Sequence, residues 1–150
     1  MAVMDIEIRL TSIDEIVELR WKILRTGLPR ESASFPGDEL STTLHIGAFD
    51  ADLCVGCASF MQNEWDGAPA WQLRGMAVEE SYRSQGIGRE ILVFADEQIR
   101  QRGYSSQLWC NARTPAVRFY QTVGWQTTGD EFVIPTAGPH FKMHRVLPAI

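Results

Sequence analysis

A chain of 150 residues, 45% hydrophobic and 22% charged, has the size and make-up of one ordinary globular domain spanning 1–150. Nineteen acidic against fourteen basic residues leave a formal charge of −5, which argues against a nucleic-acid-binding surface. The balance fits cationic substrates loosely, although net charge says little about any one cleft. No apolar run approaches the roughly 20 residues of a membrane span.

Met1-Ala2-Val3-Met4-Asp5 shows no signal-peptide pattern, and three cysteines (Cys54, Cys57, Cys110) suggest no disulfide framework. The expectation is a cytoplasmic protein with reduced thiols, binding neither membrane nor nucleic acid.

Ile6, Ile8 and Leu10 alternate with Glu7 and Arg9, the period of a half-buried strand. Thr11 or Ser12 caps the next helix, with Asp14 and Glu15 in its first turn. Ile16, Leu19, Ile23 and Leu24 recur at helical spacing, Arg20-Trp21-Lys22 reads as a solvated face, and Gly27 and Pro29 end the helix. Residues 30–43 are polar, hold Pro36-Gly37-Asp38, and read as a loop with room for one helical turn. At that length a functional role is expected.

Residues 44–49 and 53–61 form a hairpin about the turn Asp50-Ala51-Asp52. Residues 62–70 contain the turn formers Asn63, Asp66-Gly67 and Pro69, and 71–78 is the next strand.

After that strand comes Arg83-Ser84-Gln85-Gly86-Ile87-Gly88-Arg89, which opens an amphipathic helix over 86–102. Glycines without a Cβ let an anion approach the backbone. The first amides of a helix lack partners inside it, and the dipole adds positive charge there. The stretch therefore reads as a phosphate seat, with Arg83 and Arg89 suited to paired pyrophosphate oxygens. It is not a P-loop, which needs Gly-x-x-x-x-Gly-Lys-Ser/Thr. Nor is it a dinucleotide fingerprint, whose third glycine is replaced by Ile91.

Ile87, Ile91, Leu92, Ala95 and Ile99 form one face of the helix, and Gly103 stops it. Residues 107–110 make a short strand. Strand, crossover helix and strand favour parallel pairing, which puts the seat at the C-terminal edge of a strand. Thr114-Pro115 starts a second helix over 116–122, ended by Gly124. A strand begins over 125–128, a loop covers 129–139, and 140–147 is the last strand.

Arg-x-x-Gly-x-Gly after a strand reading Leu73-Arg74-Gly75-Met76-Ala77-Val78 resembles the coenzyme A loop of the GNAT family of N-acetyltransferases. The resemblance continues through Trp109-Cys110-Asn111-Ala112-Arg113, Ala116, Phe119-Tyr120 and Gly124-Trp125, over about 44–147. It implies an α/β acyl-CoA N-acyltransferase fold. That fold is a mixed, mostly antiparallel sheet with a splayed parallel strand pair, flanked by helices. It implies acetyl transfer from acetyl-coenzyme A to a primary amine by direct attack, without an acyl-enzyme.

By position in the resembling motifs, Met76, Ala77 and Val78 would border the pantetheine. Arg83, Ser84, Gln85, Gly86, Ile87, Gly88 and Arg89 would hold the pyrophosphate. Asn111 would be a further pantetheine contact, although the family often has asparagine where Arg113 stands. An amide near Met76 or Ala77 would face the developing oxyanion. Tyr120 would protonate the departing thiolate, against the plainer reading of Phe119-Tyr120 as a core aromatic pair. An amine of pKa about 10.4 is free base in only about one molecule in 10³ at neutral pH, so a base is needed. His140, Glu79, Glu64 and Glu31 are the alternatives; His140 lies in Gly138-Pro139-His140-Phe141, which resembles a motif in part of the family. Region 30–43 would border the acceptor, and a homodimer is an open expectation.

Cys54-x-x-Cys57 and His140-x-x-x-His144 mimic a zinc set, but their separation is far too large and both fall in strands, where i and i+3 face opposite ways. No metal is expected. Trp65, Trp71 and Trp109 read as core and cleft packing. Two rival functions stand beside acetyl transfer: a non-catalytic acyl-CoA binding module, and a phosphate-binding domain for another nucleotide.

Overall fold

The computed structural model describes residues 5–149; the first four residues, part of the segment read for a signal peptide, and Ile150 lie outside it. Among the described residues, one seven-stranded sheet in the order β1-β2-β3-β4-β5-β7-β6 carries three α-helices. The strands are β1 (Ile6–Thr11), β2 (Leu44–Asp50), β3 (Leu53–Trp65), β4 (Ala68–Val78), β5 (Gln107–Arg113), β6 (Gln126–Ile134) and β7 (Gly138–Val146). The helices are α1 (Ile13–Leu24), α2 (Ile87–Arg102) and α3 (Val117–Thr122). Among the described residues, no helix is long and apolar enough to cross a membrane.

The expected mixed sheet is present. Every neighbouring pair is antiparallel except β4 and β5, which run parallel across the α2 connection. Residues 30–43 hold one helical turn, at Arg30–Ala33.

Four expectations need correcting. Residues 62–70 are mostly strand, because the β3–β4 hairpin turns on Asp66-Gly67 alone, both at positive φ (50° and 78°). That is the backbone of a two-residue hairpin loop. Residues 129–139 are likewise mostly strand, with only 135–137 between β6 and β7. The third concerns Arg20, which is fully buried, not solvated. Its guanidinium donates to Asp38 Oδ2 (2.7 Å), the Ala33 carbonyl (2.8 Å) and Ser59 Oγ (2.9 Å). His45 bridges Ser59 Oγ and the Asp38 carbonyl. These bonds pin 33–38 to the sheet beside β4.

Two bulges set the rest. In β3, Ala48 pairs with Gly56 and Phe49 with Cys54, so Val55 is an extra residue. Cys54 and Cys57 therefore both pack with Ile16 and Leu19 under α1, and the expectation that they face opposite ways fails at this bulge. In β4, Ser59 pairs with Arg74 and Cys57 with Ala77, so Gly75 and Met76 oppose Ala58 alone. The insertion flips the alternation. Leu73, Met76 and Val78 all pack with the α2 core, while Ala77 packs under α1.

Candidate active site

β4 and β5 pair over only Trp71–Leu108, Gln72–Trp109 and Leu73–Cys110. Beyond Leu73, β4 bulges at Gly75 and runs on to Val78 without β5 beside it. β5 runs on to Arg113 with its antiparallel partner β7, down to the pair Arg113–His140. The sheet thus opens between residues 74–78 and 111–113. Gly75 is required twice over. Its φ is +64°, and a Cβ there would lie 2.6 Å from Arg20 Nε. Bulges bend and twist a strand, which accounts for the parting.

A cavity of about 730 Å³ lies on the α2 side of the opening. It takes in every residue of 83–89 except Gln85, together with Met76, Ala77, Val78, Arg113 and Tyr120. Ser84 and Gly86 have left-handed φ values of 63° and 84°, and Gly86 is the N-cap of α2. Turns of this kind gather backbone amides into an anion-binding concavity at the positive end of the helix dipole.

The two glycines have separate reasons. A Cβ on Gly86 would meet nothing within 4 Å, so the space over it is open. A Cβ on Gly88 would lie 3.1 Å from Phe119 and 3.4 Å from Met76, so its bareness serves packing. The Arg83 guanidinium donates to the Val78 carbonyl (3.1 Å), tying the loop to the end of β4. The open Gly86 cradle, a free helix N-terminus and two arginines fit a pyrophosphate.

A second cavity of about 340 Å³ lies on the α1 side. The two share Leu24, Met76, Arg113, Ala116 and Tyr120, so they meet at the opening. Tyr120, from α3, is buried and lines both. Burial pushes its phenol well above the ordinary value, with Cys110 as a lesser cause, and keeps it protonated. Its ring packs edge-on against both Phe119 and Trp125, so it is also a core aromatic.

His140 lines the second cavity and is buried. Its Nδ1 lies 2.7 Å from the Gly138 carbonyl. A carbonyl only accepts, so Nδ1 carries a proton, and the tautomer this bond selects has its lone pair on Nε2.

The other candidate bases stand outside that cavity. Glu79 accepts from Lys22 Nζ (2.7 Å). Glu64 lies near the β3–β4 turn, and Glu31 is exposed in the turn at Arg30–Ala33. Asn111 also lines the second cavity and not the first, and its Oδ1 is buried without a hydrogen-bond partner.

Sequence reasoning passed over Arg25 and Arg74, which line the second cavity beside Arg113. Arg74 shares a strand face with Gln72 by simple alternation, which was readable. Arg25 follows the end of α1, and nothing local marks it. His144 stacks on Trp65 (4.9 Å between centroids) and lies 3.0 Å from Gln107 Oε1, which gives it a packing role.

A sheet parted beside a phosphate-fitting helix start, with cavities meeting across the gap, is the architecture of an acyltransferase. The family model described as "Acetyltransferase (GNAT) domain" matches residues 32–144. The chain belongs to that family and is an acyltransferase. It is 32% identical over 145 residues to the uncharacterized N-acetyltransferase YitI of Bacillus subtilis strain 168, covering 95% of this chain and 97% of the relative.

In fold it is similar to an aminoglycoside 6'-N-acetyltransferase crystallised with coenzyme A. The TM-score is 0.76 at 15% identity, with 96% of this chain and 98% of the other covered. Escherichia coli ElaA is also similar, with TM-score 0.73 at 17% identity, covering 94% and 99%.

Proposed function

We propose that the protein transfers an acetyl group from acetyl-coenzyme A to a primary amine of a small molecule or peptide. The observation that carries this is the meeting of the two cavities at Tyr120, in the gap between β4 and β5. Loop 83–89 would hold the pyrophosphate from the α2 side, and the free edge of β4 at Met76, Ala77 and Val78 the pantetheine. Asn111 would contact either the pantetheine end or the acceptor, since it faces the second cavity. The bulge at Gly75-Met76 leaves a backbone group out of the ladder, where an amide can meet the developing oxyanion.

The acceptor would enter from the α1 side. His140 Nε2 takes the amine proton, directly or through one water, as the C–N bond forms. As the C–S bond breaks, Tyr120 supplies a proton to the departing sulfur. The neutral amine gives one proton to His140 and the thiolate takes one from Tyr120, while the proton an ammonium form sheds before attack leaves to solvent; the amine attacks the thioester directly, without an acyl-enzyme. Cys110, the cysteine nearest the gap, is pushed up to about 12 by burial and makes a poor nucleophile.

The test is thiol release from acetyl-coenzyme A over a diverse amine library, with calorimetry of coenzyme A against NAD and ATP. Binding of coenzyme A and acetylation of at least one amine are expected. Binding of a nucleotide and not of coenzyme A would end this reading.

A further inference from the structure

The second cavity has an unusual charge. Arg25, Arg74 and Arg113 line it, and no carboxylate does. Among the described residues, none of the three forms an ion pair. The neighbouring Arg20 is paired with Asp38, although its charge still acts on Arg25 and Arg74.

Backbone carbonyls hold the three in place. Arg25 donates to Ser32 and Leu24 (3.3 and 3.2 Å), Arg74 to Pro36 (2.8 Å), and Arg113 to Leu24. Two of these bonds end on the last residue of α1, where the helix dipole favours cations. The Phe35 ring lies under Arg25 at 5.1 Å and Arg74 at 4.8 Å. Each guanidinium has five donors and spends few of them here. Burial lowers the pKa of all three, and the charges of Arg113 and Arg20 lower that of Arg25 further; at Arg74 the Asp38 carboxylate opposes burial in part, while Arg20 and Arg25 add to it.

Gathering like charges in a partly buried cavity is unfavourable unless an anion joins them. Coenzyme A does not account for them all. Arg113 borders both cavities, but Arg25 and Arg74 border only the second, across the gap from the phosphate loop. Resting on the acetyltransfer reading above, we propose that the acceptor is a small amine that also carries an anionic group, a carboxylate or a phosphate, gripped by Arg25 and Arg74. The amine then lies toward Asn111 Oδ1, a buried acceptor without a partner, and His140 Nε2. Leu24, Phe35, Ile134 and Ala137 supply an apolar wall for the remainder.

A volume of about 340 Å³ suits an amino-acid-sized molecule. Polyamines and aminoglycosides would add positive charge to a cavity that already has an excess.

The experiment compares matched amines on the whole protein: amino carboxylates, their amides, aminoalkyl phosphates, uncharged alkylamines and a polyamine. The anionic member is expected to show kcat/KM about 10- to 100-fold above its uncharged match, the range of a hydrogen bond to a charged group. Arg25→Gln and Arg74→Gln should each erase most of that margin through KM, while coenzyme A affinity by calorimetry is kept. The carboxylate and phosphate arms identify which anion is used.

Equal or better turnover of the uncharged or polycationic amine by the wild-type protein overturns the proposal, whether or not the variants fold. Acetyltransfer itself fails on a different result, coenzyme A binding with no amine acetylated. In that case, calorimetric titration of the amino carboxylate against its amide into the coenzyme A complex still decides the anion site. Tighter binding of the carboxylate supports it, and equal binding overturns it.

Discussion

At the scale of single residues, the proposed mechanism would divide the proton chemistry between Tyr120 and His140. Burial keeps Tyr120 protonated, the form a proton donor to the departing thiolate needs. Tyr120→Phe keeps the ring packed against Trp125 and removes only the hydroxyl. We expect kcat to fall by about 10²–10³, within the range of general acid catalysis, with coenzyme A affinity by calorimetry unchanged. Equal loss of both would assign Tyr120 to packing alone.

The buried thiols add a pH dependence. Burial pushes Cys57 and Cys110 from 9.0 to about 12. In the unfolded chain these thiols ionise first, so above pH 9.0 the folded state binds more protons than the unfolded one. Their contribution is whole below that pH and is lost as pH climbs toward about 12. Tyr120 acts in the same direction at higher pH. Urea melts should show stability falling across this window, and Cys110→Ala should flatten the fall. An unchanged slope in that variant would remove Cys110 from the account.

At the scale of elements, the β4 bulge makes the gap, and one glycine makes the bulge. Gly75→Ala forces an L-residue to a φ of +64°, which costs about 1–2 kcal/mol, and pushes a Cβ onto Arg20 Nε. We expect Tm to drop by about 2–8 °C, with kcat reduced because the strand edge moves. Full activity in a stable Gly75→Ala protein would show that the gap does not depend on the bulge.

The Arg20–Asp38 pair fixes the segment that carries Phe35 beside the second cavity. Asp38→Ala leaves a fully buried guanidinium without its counter-ion, a loss of about 3–5 kcal/mol by urea denaturation.

Much of this level was legible in the sequence. Period-two runs found the strands, and Gly86 to Gly103 bounded α2 closely. The full strand lengths at the β3–β4 and β6–β7 hairpins were not, because turn formers can sit in strands at an edge. Pro69 lies before β4 meets β5 at Trp71, so its missing N–H breaks no ladder on that side. Bulges were illegible too, since an extra residue at Val55 or Gly75 has no period of its own. Arg20 was misread because its partners Asp38 and Ser59 are 18 and 39 residues away. The turn at Ser84–Gly86 that opens α2 was readable because it is local. The arginine cavity was not, because Arg25, Arg74 and Arg113 converge only in the fold.

At the scale of the whole molecule, a sheet that parts in its middle leaves strand edges that a ligand can complete. Coenzyme A at about 100 times its dissociation constant should stabilise the fold by about 2.7 kcal/mol. For a chain of this size that raises Tm by about 5–10 °C. Arg83 and Arg89 are exposed at the rim of the larger cavity. Their replacement by Gln should therefore alter the ligand-free stability by no more than about 0.5 kcal/mol.

The double variant Arg83→Gln, Arg89→Gln should lose half or more of the coenzyme A shift in a thermal melt. Pantetheine, which lacks the pyrophosphate, should give the wild type and the double variant the same small shift. If the variant keeps the full coenzyme A shift, or pantetheine alone matches coenzyme A in the wild type, the pyrophosphate is not held at 83–89. The gap between β4 and β5 would then have to be filled by some other molecule.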